Sequence, residues 1–203
     1  MHSGTNSNPL QLELDRSEKI MFIIAGCNGA GKTTAFKQTL HESFGYPVFV
    51  NPDEIAKELC PEDVNRVQNQ AGRQAVERIH EYLNGQDSFC VETTLATRTY
   101  QGHIKEAHEN GFKVALFYYW LSSPELAVAR VEQRVIEGGH DVPPDTIRDR
   151  YNRSIKYLSS LYLNKVDYWK IVDNSGFVQQ EIASSVTVVN KREAFDDLMK
   201  YGQ

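Results

Sequence analysis

The chain has 203 residues, of which 40% are hydrophobic and 24% charged, and its formal net charge is −5 at pH 7. The length and the apolar content are those of one globular domain with a core of its own. The negative net charge argues against a basic nucleic-acid-binding surface, and no run approaches the roughly 18 apolar residues of a membrane span.

Residues 1 to about 16 are mostly polar and are predicted to form a flexible arm before a single domain at 17–203. They contain no basic leader followed by an apolar segment, so we expect no secretory signal. Cys27, Cys60 and Cys90 are widely spaced and suggest neither disulfides nor a metal site. No His-Glu-x-x-His pattern is present, so a zinc site is not expected. The cysteine usage predicts a reduced, cytoplasmic protein.

The first predicted strand, Ile20–Ala25, leads into Gly26-Cys27-Asn28-Gly29-Ala30-Gly31-Lys32-Thr33 and then a helix from about Lys32 to His41. Gly, four residues, then Gly-Lys-Thr in this setting is the P-loop pattern. Glycines let several amides converge on one anion, and the helix directs its positive end at the same phosphates. The pattern therefore predicts a nucleoside triphosphate site formed by Asn28, Gly29, Ala30, Gly31, Lys32, Thr33 and Thr34. Lys32 would reach the β- and γ-phosphates, and Thr33 would ligate magnesium.

Strand and helix signals alternate along the rest of the chain. A turn is predicted at 45–47, strands at 48–50, 88–91, 113–121 and 168–172, a further edge strand at 186–189, and helices near 61–84, 99–110, 123–138, 147–162 and 191–200. This alternation predicts an α/β fold: a three-layer, nucleoside-kinase-like P-loop domain with a parallel sheet. The two helices within about 123–163 are predicted to form a helical lid.

Two acidic clusters follow predicted strands, at the sheet edge where open α/β folds bind ligands. In the first, Asn51 and Pro52 are typical of a helix start, and Asp53 suits the helix dipole. The same position also suits Asp53 as the base that accepts a proton from a substrate hydroxyl.

In the second cluster, Glu92 precedes Thr93 and Thr94. A carboxylate there needs a partner, which could be magnesium, a bound water or a substrate hydroxyl, unless it caps the next helix.

A basic cluster lies in the predicted lid: Arg130, Arg134, His140, Arg148, Arg150 and Arg153. Arg130 and Arg134 share one helix face, as do Arg150 and Arg153, and like charges so placed repel unless an anion lies between them. Arginine holds phosphate oxygens bidentately, so these helices could close over a triphosphate. The alternative is a solvated face that pairs with Glu125, Glu132 and Asp149.

Five motifs in this order together resemble the zeta toxin family, in particular its short, single-domain branch of ATPases or kinases. They are Gly-x-Asn-Gly-Ala-Gly-Lys-Thr-Thr, Asn-Pro-Asp-Glu-Ile, Glu-Thr-Thr-Leu, Arg-Val-x-x-Gly-Gly-His-x-Val-Pro and Arg-x-Arg-Tyr-x-Arg-Ser. The resemblance implies an ATP- and Mg²⁺-dependent kinase of a small-molecule hydroxyl, with a UDP-N-acetylsugar as acceptor and an antitoxin as protein partner.

By the same resemblance, Lys32 and Thr33 bind ATP and magnesium, Asp53 is the general base, and Glu92, with Thr93 and Thr94, holds the substrate. Arg134 is the best candidate for a catalytic phosphate clamp.

The sequence also departs from the family pattern. The position of the family's second lid arginine falls near His140 in this sequence. Histidine is a weaker and pH-dependent phosphate clamp, so Arg150 or Arg153 could take that role. The family's longer substrate-binding insertions are absent. Two alternatives therefore stay open: a kinase of an antibiotic, a nucleoside or another sugar, and an ATP-hydrolysing regulatory module that acts on a partner protein.

Overall fold

The computed structural model of the chain describes residue 14 and residues 17–35, 48–186 and 189–200. Three of the sequence predictions therefore lie outside the described residues: the arm at 1–16 apart from residue 14, the P-loop helix beyond Ala35, and the turn at 45–47. The domain boundary at residue 17 stays a prediction for the same reason.

The described strands form a single sheet. They are β1 (Ile20–Ala25), β2 (Val48–Val50), β3 (Phe89–Thr93), β4 (Lys113–Trp120), β5 (Tyr168–Asp173) and β6 (Gln180–Ser184). Their order across the sheet is β2-β3-β1-β4-β5-β6. Strands β1 to β5 pair in parallel, and β6 pairs antiparallel with β5. The parallel P-loop fold predicted from the sequence is confirmed, with one antiparallel strand added at its edge.

Helices connect the parallel strands. They are α1 (Lys32–Ala35), α2 (Pro52–Leu59), α3 (Val64–Leu83), α4 (Tyr100–Glu109), α5 (Pro124–Ile136), α6 (Pro144–Tyr157) and α7 (Arg192–Lys200). Helix α6 continues into one π-helical turn at Leu158–Tyr162. Two starts follow the expected capping chemistry, since the side chains of Asn51 and Ser123 accept bonds from the backbone N–H groups of Asp53 and Leu126.

The core is centred on β1. All residues of this strand are buried, as expected for a strand covered on both faces. It lies between β3 and β4, with Ile23 opposite Val91 and Leu116. The carboxyl ends of β1 and β3 therefore meet at one edge, with β2 beside them. That edge carries the P-loop and both acidic clusters.

The edge strand is where the structure differs from the sequence prediction. It spans Gln180–Ser184, whereas Val186 lies past its end and residues 187 and 188 are outside the described part. The strand has a weak signal because Gln180 and Glu181 are polar and only its last three residues are buried. The β-branched residues at 186–189 gave a stronger strand signal.

Among the described residues, no helix is long and apolar enough to cross a membrane.

Candidate active site

The loop between β1 and α1 has a backbone that only glycine accepts at its key positions. The φ angles of Gly26, Gly29 and Gly31 are +142°, +76° and +78°. A Cβ atom on Gly26 would lie 2.3 Å from the Tyr119 carbonyl oxygen, and one on Gly31 would lie 2.6 Å from Asn174 Nδ2. The sequence thus specifies a curled loop followed directly by a helix N-terminus, an arrangement suited to an anion.

Glu92 contacts both the P-loop and Asn51, the residue that follows β2. Its Oε2 accepts hydrogen bonds from Thr33 Oγ1 at 2.8 Å and from Asn51 Nδ2 at 3.1 Å, while its Oε1 lies 3.8 Å from Lys32 Nζ. The side chain is only 11% exposed, so these contacts satisfy a carboxylate that is largely removed from water. Lys32 is also buried, and its Nζ donates to the Cys27 carbonyl oxygen at 3.0 Å. Glu92 therefore faces the P-loop and does not cap α4.

Cys27, within the P-loop, is a structural residue. Burial raises the pKa of its thiol to about 11, although the nearby Lys32 ammonium lowers it in part. The thiol therefore stays protonated near neutral pH, and a protonated, buried thiol is a poor nucleophile.

The P-loop faces a cavity of about 380 Å³, here called the P-loop cavity. Its lining combines the loop and α1 with Glu92 and two arginines of α5, and comprises Gly29, Gly31, Lys32, Thr33, Thr34, Glu92, Arg130 and Arg134. Arg130 Nη2 donates to the Ser175 carbonyl oxygen at 3.0 Å, and Arg134 Nη2 donates to that of His140 at 2.7 Å. Arg134 Nε is buried without a hydrogen-bond partner among the described residues. The cavity is rich in donors for an anion.

A second cavity, of about 460 Å³, lies beside the carboxyl ends of β2 and β3 and is called here the strand-end cavity. Asp53, Thr93 and Thr94 line one part of it, and apolar residues such as Ile79 and Tyr100 line another. Lys32 and Glu92 line both cavities. The two spaces therefore adjoin at these two side chains.

The basic residues of the predicted lid differ in what they contact. Arg130 and Arg134 line the P-loop cavity, and Arg150 Nη1 donates to Asn28 Oδ1 of the P-loop at 3.3 Å. Arg153 lines the strand-end cavity but is paired with Asp149 at 2.5 Å.

Arg148 forms ion pairs with Glu125 at 3.6 Å and with Asp145 at 3.2 Å, as the solvated-face alternative expects. His140 lines a separate cavity of about 400 Å³ with Lys57, Glu62 and Asp63. The structure thus does not bring the His140 ring to the P-loop.

Three residues that contribute to this region had no predicted role in the site. Asn51 was predicted only as a helix cap, yet it also donates to Glu92. Asn174 Nδ2 donates to the Ala30 carbonyl oxygen at 2.8 Å, and the Ser175 carbonyl oxygen accepts from Arg130. Asn174 and Ser175 directly follow β5, so the rule that ligand sites lie at the carboxyl edge of a parallel sheet could have found them.

Comparisons with known proteins agree with this architecture. A model of the zeta toxin family matches residues 10–182 of the chain. An uncharacterized protein of Haemophilus influenzae is 32% identical over 128 residues, which are 62% of this chain and 88% of that protein.

Two solved structures are similar in fold. The structure of AvrRxo1-ORF1:-ORF2 with ATP has a TM-score of 0.71 at 17% identity, covering 92% of this chain and 65% of that chain. The PezAT toxin–antitoxin system of Streptococcus pneumoniae has a TM-score of 0.62 at 17% identity, covering 91% of this chain and 84% of that chain. The chain thus spans about 65% of the length of the AvrRxo1-ORF1:-ORF2 chain that it matches.

Proposed function

The chain belongs to the zeta toxin family, and on that premise we propose that it is an ATP- and Mg²⁺-dependent kinase that phosphorylates a hydroxyl of a small molecule. The observation that carries this proposal is that Lys32 and Glu92 line both the P-loop cavity and the strand-end cavity. A triphosphate in the first cavity and an acceptor in the second would meet at these side chains. Phosphoryl transfer requires this juxtaposition of two substrates, whereas ATP hydrolysis alone does not.

On the donor side, the P-loop amides and Lys32 bind the triphosphate. Arg130 and Arg134 approach from α5 and add charge to the same cavity. Arg134 Nε supports this role: it is buried without a partner in the part of the chain that the structure describes, and a phosphate oxygen would supply an acceptor.

The residues present also fit a magnesium ion. The Thr33 hydroxyl and the Glu92 carboxylate lie 2.8 Å apart at the P-loop cavity, and oxygen ligands of these two kinds suit Mg²⁺, which also uses phosphate oxygens and water. Thr33 would hold the ion, and Glu92 would bind it directly or through a water. The ion would neutralise charge on the phosphates.

For the transfer itself, Asp53 accepts the proton of the acceptor hydroxyl. The acceptor oxygen forms a bond to the γ-phosphorus, the bond from that phosphorus to the β–γ bridging oxygen breaks, and ADP leaves. Asp53 lines the strand-end cavity, and its backbone N–H donates to Asn51 Oδ1, which fixes the start of α2. Positioning and charge neutralisation supply most of the catalysis.

The strand-end cavity suits a polar acceptor. Arg150 supplies positive charge and Asp53 negative charge, Thr93 and Thr94 supply hydrogen bonds, and the apolar part suits a ring or a methyl group. Because the chain belongs to the zeta toxin family, whose resemblance implies a UDP-N-acetylsugar, UDP-N-acetylglucosamine is the first acceptor to test. Incubation with ATP and Mg²⁺, followed by mass spectrometry, should detect a sugar nucleotide heavier by one phosphoryl group. If that product is absent and another metabolite is phosphorylated, the acceptor is a different hydroxyl compound.

We also propose an antitoxin as a protein partner. Family membership and the fold shared with the PezAT toxin–antitoxin system support this partner. A cytoplasmic location stays a prediction from the cysteine usage.

Arg134→Ala should lower kcat by roughly 10²–10³ with a smaller change in the KM for ATP, because a clamp on developing charge acts most strongly in the transition state. Steady-state kinetics measures both constants. The matched control is Arg148→Ala, which removes an arginine that pairs with Glu125 and Asp145 on the surface. Equal kinetics in the two variants would contradict a clamp at Arg134.

The segment from Arg130 to Arg153 should become more protected from hydrogen exchange when a non-hydrolysable ATP analogue binds. It carries the arginines that face the P-loop, and its helices are joined through Gly138, whose φ of +86° is readily adopted only by glycine. Exchange measured with and without the analogue tests this closure. Equal protection in both states would show that α5 and α6 do not act as a lid.

A further inference from the structure

Helices α3 and α4 bring three metal-binding side chains together away from the P-loop. One ring nitrogen each of His80 and His103 and one carboxylate oxygen of Glu106 all lie within 4.8 Å of one another. His80 is in the last turn of α3, while His103 and Glu106 are three residues apart on α4 and share a face. None of the three has a role in the phosphoryl transfer proposed above.

His103 supplies a second observation that points to a ligand. It is 5% exposed, and its Nδ1 is buried without a hydrogen-bond partner among the described residues. His80 Nδ1 contacts a carboxylate oxygen of Glu106 at 2.8 Å, so these two side chains pair with each other, and neither supplies a hydrogen bond to His103 Nδ1 among the bonds that the structure describes. A buried ring nitrogen without a partner is unusual in a folded protein and calls for an explanation.

We propose that His80, His103 and Glu106 form a site for a divalent transition-metal ion, with zinc as the first ion to test. Two imidazole nitrogens and one carboxylate oxygen are a common zinc ligand set, completed by a water. The side chains of His80 and Glu106 are 47% and 29% exposed, so an ion and its water can enter from solvent. Zinc bonds of about 2.0–2.2 Å in a tetrahedral site place the ligand atoms about 3.3–3.6 Å apart, so side-chain rotations would bring the three atoms to that spacing.

A bound ion would fix α3 to α4 next to the strand-end cavity, because His103 also lines that cavity. The site is inferred independently of the kinase proposal. It also differs from the expectation that the sequence contains no zinc site. That expectation considered ligand spacings within short motifs, whereas these ligands come from two helices.

Titration of chelator-treated, nucleotide-free protein with ZnCl2 by calorimetry tests the site directly. We expect one ion per chain and, with CoCl2 instead, visible absorption bands typical of four-coordinate cobalt. His80→Ala and Glu106→Gln should each weaken zinc binding by at least about tenfold, since even the loss of an outer-shell partner costs about 10–100-fold. His108→Ala, on the same helix but paired with Asp167, is the matched control and should bind zinc normally.

Three results would overturn the proposal: no zinc binding by the wild-type protein, unchanged affinity in both His80→Ala and Glu106→Gln, or loss of binding in Cys60→Ser alone. The last would assign the metal to a partly exposed thiol. His103→Ala should also lose zinc, and its circular dichroism shows whether it folds. If it does not fold, the two more exposed positions decide the test.

Discussion

Lys32→Ala is expected to lower phosphoryl transfer from ATP by about 10³-fold or more, with little change in melting temperature. The loss follows from removing the one side-chain cation of the P-loop, which faces both cavities. The fold should persist because Glu92, the partner left behind, still accepts hydrogen bonds from Thr33 and Asn51. The measurements are the rate of ADP formation with acceptor present and the thermal unfolding curve.

Lys105→Ala is the matched control for this variant. Lys105 is 78% exposed and pairs with Glu109 in a surface ion pair, so its removal should change neither rate nor stability. If Lys32→Ala turned over ATP at the wild-type rate, the P-loop would not be the site of the reaction. If it unfolded, the contacts of Lys32 with Glu92 and with the Cys27 carbonyl oxygen would be essential to the fold.

Asp53→Asn is expected to slow acceptor phosphorylation by roughly 10²–10⁴-fold while ATP affinity stays close to that of the wild-type protein. The amide keeps the size of the side chain but cannot accept the hydroxyl proton. The backbone N–H that bonds to Asn51 is unchanged, so the cap of α2 should be retained. Single-turnover rates and nucleotide binding separate the two effects.

Glu54→Gln distinguishes catalysis from helix stability. Both residues are acidic and lie in the first turn of α2, so both substitutions remove a charge that favours the helix dipole. Among the described residues, Asp53 lines the strand-end cavity and Glu54 does not. A slow reaction in Asp53→Asn alone supports the general base. An equal loss of stability in both variants, with turnover unchanged, would leave Asp53 as a helix-start residue.

The strongest sequence signals were those fixed by local chemistry. The P-loop glycines, the apolar run of β1 and the Asn51-Pro52 helix start each depend on residues close in the chain, and the structure has each feature where it was predicted. The edge location of Glu92 also followed from a general property of parallel sheets.

Features that depend on contacts distant in sequence could not be predicted. Helical spacing gives the face of Arg150, but not that its guanidinium meets Asn28, because that contact joins two elements whose packing sets the distance. The same holds for His140, which the loop after α5 directs to another cavity. Strand β6 was missed because its short, polar sequence owes its pairing to β5.

The most direct test of the kinase assignment follows the γ-phosphoryl group itself. ATP labelled with ¹⁸O in that group is incubated with Mg²⁺, a pooled metabolite extract and wild-type, Lys32→Ala or Asp53→Asn protein, and labelled products are identified by mass spectrometry. We expect a labelled phosphate ester of a small-molecule hydroxyl with the wild-type protein, far less with Asp53→Asn and none with Lys32→Ala. Labelled inorganic phosphate as the sole product, formed equally by wild-type and Asp53→Asn proteins, would contradict the assignment and indicate an ATPase without a small-molecule acceptor.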